Sequence, residues 1–99
     1  MVQKQAIALV REYKEAIKGL LDNPKVYLYG SYSKGTATPE SDIDVAIVIH
    51  ELTDDGFSVM PQLWAATRKV STLLESVLLE DVHPSPLYDD VMRSGIAVA

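Results

Sequence analysis

Apolar positions along the first twenty-two residues recur at the spacing of one helix face. Val2, Ala6, Leu9, Tyr13, Ala16 and Leu20 form a stripe that Ile7, Val10, Ile17 and Leu21 widen. The spacing predicts a helix over 2–22, stopped by Asp22-Asn23-Pro24. Lys25 to Tyr29 (KVYLY) is β-branched and aromatic and predicts a short strand. Residues 30–41 are rich in Gly, Ser and Thr and predict a loop with room for a helical turn. Asp42 to Ile49 (DIDVAIVI) predicts a strand whose apolar residues fall on both faces beyond Asp44, as in a central strand covered on both sides. Glu51 to Gly56 predicts a polar turn.

Met60, Leu63, Trp64, Thr67, Val70, Ser71 and Leu74 return to helical spacing and predict a second long helix over 58–75, with Trp64 in the core. Ser76 to Val82 (SVLLEDV) predicts a third strand. Pro84-Ser85-Pro86 opens a short helix over 87–93, closed by Gly95, and residues 96–99 can add a last strand. The order helix, strand, loop, strand, helix, strand, helix, strand describes a small α/β or α+β sandwich around a central sheet.

Ninety-nine residues suit a single domain over 1–99, with one core and no room for a second substrate-binding domain. The composition, 47% hydrophobic and 23% charged, fits a folded chain and not a disordered one. No apolar run reaches the length of a membrane span, and the charged N-terminal segment does not read as a signal peptide. The absence of cysteine rules out a disulfide framework, a thiolate zinc site and a cysteine nucleophile, and fits a cytoplasmic location. Fourteen acidic residues against nine basic ones give a net charge of −5, which disfavours a role in wrapping long nucleic acids but leaves open a small phosphorylated ligand held through a metal. His50 and His83 end their strands and read as surface residues.

The chemistry concentrates in Gly30 to Val48, GSYSKGTATPESDIDVAIV. Asp42 and Asp44 are two apart at the head of a strand, so both point to one face, roughly 7 Å apart along the backbone. Like charges on one face of an otherwise apolar strand cost energy unless a cation lies between them, and Mg²⁺ takes carboxylate together with phosphate oxygens. Taken alone, the pair reads equally well as a loop cap and a solvated strand end. Gly30-Ser31 directly follows a strand, where a glycine admits close backbone approach and the N–H groups of a helical turn suit phosphate oxygens. The spacing is not that of a P-loop, since GxxxxGK[ST] is absent.

Gly-Ser, ten residues, then Asp-x-Asp resembles the signature of the nucleotidyltransferases related to DNA polymerase beta, in particular the minimal nucleotidyltransferase family. Four fixed positions match by chance about once in 10⁵ starting points. The family commonly reads GSxARGxAxxxSDIDLxV, and the closing helix and strand agree as well, with Ser94 where the family often has glutamate. The resemblance implies a small central mixed sheet flanked by helices. It implies Asp42 and Asp44 as catalytic residues and ligands of two Mg²⁺ ions, with Gly30, Ser31 and Lys34 on the phosphates of ATP. In the implied reaction an acceptor oxygen attacks the α-phosphorus, AMP is transferred and pyrophosphate leaves.

The family's catalytic sites carry a third carboxylate on a later strand. Here Ser76 lies near its place, and Glu75, Glu80 and Asp81 are the candidates, with no choice among them from sequence. Small proteins of this kind are often antitoxins that silence a helical HEPN toxin by transferring AMP to one of its tyrosines. The implied partners are therefore ATP and a HEPN-type protein, or a second copy of the chain, supplying the acceptor site. Tyr29, Tyr32, Tyr88 and the first helix are candidate docking elements. The alternative is a weakly catalytic or non-catalytic antitoxin acting by contact.

Overall fold

The computed structural model describes residues 2–52 and 58–99. The element order is α1 (Gln3–Ala16), β1 (Lys25–Tyr29), α2 (Ser31–Lys34), β2 (Ile43–Ile49), α3 (Met60–Val70), β3 (Leu74–Glu80), α4 (Pro86–Ser94) and β4 (Ile96–Val98). The four strands form one mixed sheet in the order β3-β2-β1-β4. β1 runs antiparallel to β2 and β4, and β2 runs parallel to β3. The expected architecture of a small mixed sheet flanked by helices holds. Most of the polar turn expected over 51–56 lies outside the described residues.

Three elements, α1, α3 and β3, depart from the sequence expectation by two residues or more, each for a local reason. α1 ends at Ala16, six residues before the Asp22-Asn23-Pro24 stop. The chain leaves the helix at Ile17 and passes through Gly19 at φ 88° and Asn23 at φ 47°, so it turns where the apolar spacing runs straight through. α3 ends at Val70 instead of continuing to Glu75. Ser71 is extended (φ −165°, ψ 142°), and its hydroxyl accepts the Leu73 N–H at 3.1 Å, offering the backbone a partner outside the helix. β3 consequently begins at Leu74 and ends at Glu80, two residues ahead of the expected 76–82. α4 begins where Ser85 caps the Tyr88 N–H at 3.1 Å, with Pro86 in its first turn.

The sheet buries both faces unequally. On one face Val26, Leu28, Ile43, Val45 and Ile47 meet α1 and α3, through Ala6, Val10, Tyr13, Ile17 and Leu63. On the other, Ala46, Val48 and Leu79 meet Val91 of α4, with Tyr27, Tyr29, Val77, Leu87 and Tyr88 around them. β2 is thus the two-sided central strand that its sequence suggests. Asp44 is the polar member of its second face. No helix among the described residues is long and apolar enough to cross a membrane.

Trp64 is not a core residue: it is 51% exposed. The buried positions of α3 are Leu63, Ala66 and Thr67, and Trp64 sits one helical step, about 100°, off the Leu63 direction. Ile47→Ala, at a fully buried central position, should lower the unfolding free energy by about 2–5 kcal/mol. Trp64→Ala should cost less than about 1 kcal/mol despite removing a larger side chain. Urea denaturation of the two variants checks the contrast, and a Trp64 cost equal to that of Ile47 would contradict this placement.

Candidate functional site

The site is built by strand register. Tyr29 is the cross-strand partner of Asp44, and Asp44 is the partner of Glu75. Three neighbouring strands therefore place Tyr29, Asp44 and Glu75 in one row, with adjacent strands about 5 Å apart. The row lies on the second face, at the edge of the apolar cluster under α4. Asp42 precedes β2 by one residue and is exposed, whereas Asp44 is half-buried. The Asp44 carboxyl titrates above its ordinary range, first because burial penalises its charge, then because Glu75 and Asp42 repel it. The Tyr29 hydroxyl holds its proton more tightly than usual for the same kinds of reason: burial, then the charges of Asp44, Glu75 and Asp90.

β1 delivers the chain straight into this row. Gly30 follows Tyr29 with φ 75° and ψ −147°, a conformation that only glycine adopts easily. A Cβ built there would overlap Asp44 Oδ2 and stand 3.1 Å from its Cγ. The glycine is thus required twice, by its dihedrals and by the carboxylate against it. Ser31 to Lys34 then makes one helical turn, with the Ser33 and Lys34 N–H groups returning to the Gly30 carbonyl at 3.2 and 3.1 Å. The Ser33 hydroxyl donates to the same carbonyl at 2.9 Å. The N–H groups of Ser31 and Tyr32 head the turn, where a helix has no acceptor of its own to offer them.

Of the five site residues expected from sequence, Gly30, Ser31, Asp42 and Asp44 converge at this end of the sheet. Lys34 lies at the far end of the short turn, its ammonium 3.4 Å from Asp90 Oδ2 on α4. Among the three candidate third carboxylates, register places Glu75 next to Asp44. Glu80 and Asp81 lie at the opposite end of β3, where Glu80 accepts the Leu52 N–H at 2.7 Å and Asp81 pairs with His50 Nδ1 at 2.8 Å. His50 and His83 are exposed, as their strand-end positions suggest. Of the candidate docking aromatics, Tyr32 is buried and Tyr29 and Tyr88 are half-buried. Asp90 carries no sequence signal; only the packing of α4 brings it to the site.

Among the described residues no three Asp, Glu or His side chains form a closed metal cage. The donor set still suits Mg²⁺, which is usually held by one or two carboxylates with phosphate and water completing its octahedron. Mutual repulsion at Asp44 is the feature that a divalent cation would relieve.

Comparison with known proteins identifies the fold and the family. A family model described as a nucleotidyltransferase domain matches residues 10–92. A Methanocaldococcus jannaschii protein named "putative protein adenylyltransferase" is 24% identical over 98 residues, covering 95% of this chain and 99% of its own. Among solved structures, a "putative nucleotidyltransferase" from Sulfolobus solfataricus superposes with a TM-score of 0.65 at 20% identity, over 96% of this chain and 80% of that one. A chain from a toxin-antitoxin structure with AMP-PNP superposes with a TM-score of 0.54 at 21% identity, over 100% of this chain and 73% of that one. The match spans the strand row, the glycine turn and the covering helix together, and the chain belongs to the nucleotidyltransferase domain family.

Proposed function

We propose that residues 1–99 act as one minimal nucleotidyltransferase domain that transfers AMP from ATP to a protein acceptor, a tyrosine of a HEPN-type toxin, as a cytoplasmic antitoxin. The observation that carries the reading is Gly30, held at a glycine-only conformation against Asp44 and opening a helical turn whose first N–H groups have no acceptor within the helix. The relative named for protein adenylyltransfer and the toxin-antitoxin neighbour with AMP-PNP support the choice of ATP and of a toxin partner. A second copy of the chain is the other possible source of the acceptor site.

In this reading the Ser31 hydroxyl and the N–H groups at the head of α2 bind phosphate oxygens, and Lys34 adds a mobile positive charge. Asp42 and Asp44 hold Mg²⁺, with Glu75 as the third carboxylate of the row. Bound Mg²⁺ supplies charge neutralisation on the triphosphate and on the acceptor oxygen. The chain's own residues fix the line of attack: Gly30 lets the Asp44 carboxylate stand against the head of the phosphate-binding turn, and the row of side chains across β1, β2 and β3 receives the acceptor. Positioning and electrostatics account for most of the chemistry in such a transfer.

Label from α-labelled ATP should appear on a co-expressed helical partner in the presence of Mg²⁺. Asp44→Asn should lower that transfer by at least about a hundredfold, the upper scale on which second-shell changes at metal sites act. Glu75→Gln should also lower it, while Glu80→Gln should leave transfer intact and affect only the hold on Leu52. Equal losses for Glu75→Gln and Glu80→Gln would remove Glu75 from its assigned role. A contact-only antitoxin is the second reading, favoured by the absence of a closed three-ligand metal cage among the described residues. It is established instead if the Asp44→Asn protein neutralises its partner as well as the wild type does.

The acidic row also sets a stability test. Because Asp44 titrates above its ordinary range in the folded chain, its favourable contribution exists at low pH and is lost as pH rises through the folded value. In cation-free buffer at neutral pH, Asp44→Asn should therefore melt at a higher temperature than the wild type. The difference should close as the buffer is acidified below the usual carboxylate range. Melting curves without Mg²⁺ at several pH values check this, and a less stable Asn variant at neutral pH would show that Asp44 is not strained in the empty site.

A further inference from the structure

Lys34 and Asp90 join two elements that are far apart in sequence. Lys34 ends α2, the turn that follows Gly30, and Asp90 lies in the middle of α4. The ammonium stands 3.5 and 3.4 Å from the two carboxylate oxygens, and both side chains are partly open to solvent. Asp90 also lies near enough to Tyr29 for its charge to help hold the hydroxyl proton. The same cation that would meet a triphosphate is thus already engaged by a carboxylate of the covering helix.

From this geometry we infer that Asp90 is an intramolecular competitor of the nucleotide's phosphates for Lys34, and so a residue that sets nucleotide affinity. The inference rests on the proposed nucleotide-binding role of α2. Without nucleotide, Asp90 neutralises Lys34 and ties α4 to the phosphate turn. With nucleotide, phosphate oxygens take over Lys34. This competition weakens binding in the wild type and disappears when Asp90 loses its charge. The neighbouring Asp89 is exposed and has no such partner described. It supplies a control of equal charge on the same helix.

The experiment is titration of the purified chain with AMP-PNP and Mg²⁺, which reads binding without turnover. Asp90→Asn should tighten binding by about twofold to fivefold, the range that one partly exposed ion pair can supply. Asp89→Asn should change it by clearly less, since it alters only the overall charge. Lys34→Ala should weaken binding, and in its background the gain from Asp90→Asn should shrink to that of Asp89→Asn. Far-ultraviolet circular dichroism of each variant checks folding, and Asp90→Ser serves if the Asn variant is unfolded. Equal effects of Asp89→Asn and Asp90→Asn, or a gain from Asp90→Asn that persists in full without Lys34, would overturn the inference. If the wild type binds no AMP-PNP, the nucleotide-binding reading itself fails. If the wild type binds while Lys34→Ala binds equally well, that reading stands and the role of Asp90 falls.

Discussion

A carboxylate fixed beside another carboxylate on a sheet face is the constraint around which this small fold is arranged. Asp44 and Glu75 are partners across the parallel β2–β3 pair, and like charges directly opposite on a sheet are unfavourable. Neither can turn away, because alternation commits Ile43, Val45 and Leu74 to the opposite, buried face. A one-residue slip of β2 would relieve the pair and expose that whole apolar set. The core under α1 and α3 therefore holds the acidic row in place, and the row's repulsion is offset by burial elsewhere.

This division of labour explains the unequal faces. The first face is closed over by two helices and contains most of the fully buried side chains. The second is covered only where α4 lies, so its open end presents Tyr29, Asp44 and Glu75 with Gly30 at the border. Covering that end with another helix would bury charges without partners, at a cost of several kcal/mol per ion. Leaving it open retains a polar surface that can take a cation and a polyphosphate. The short α4 is the compromise, long enough to shelter Ala46, Val48 and Leu79 and short enough to stop at the acidic row.

Much of this was legible in the sequence, and what was hidden has a common cause. The run DIDVAIVI shows a two-sided central strand because alternation and hydrophobicity are local properties. The Gly30-Ser31 and Asp42/Asp44 spacing is legible because both motifs lie where neighbouring strands β1 and β2 are joined by one connection. Glu75 was one of three candidates and could not be chosen, since its place depends on register with β2, which is a long-range property. Its identification was further obscured by the α3–β3 boundary. LESVLLE and SVLLEDV share five of their seven residues, and the difference rests on Ser71 turning the backbone out of the helix. Trp64 falls outside the core that its spacing suggests because helical spacing identifies a stripe but not its edges, and a large side chain at the edge can lie on the solvent side. Asp90 was invisible altogether, for nothing in SPLYDDVMRSG distinguishes it from Asp89.

Register also limits how such a site can vary. A strand face offers one side chain every second residue, so a row across three strands has one position on each. Replacing any member changes charge without changing place, whereas moving the row requires shifting a strand and with it the core. Only elements attached from outside the sheet can tune the site without that cost. Here those elements are α2, whose turn follows from the dihedrals of Gly30, and α4, which contributes the carboxylate facing Lys34. The sheet thus fixes what chemistry the face can support, and the two short helices determine how readily a phosphate can reach it.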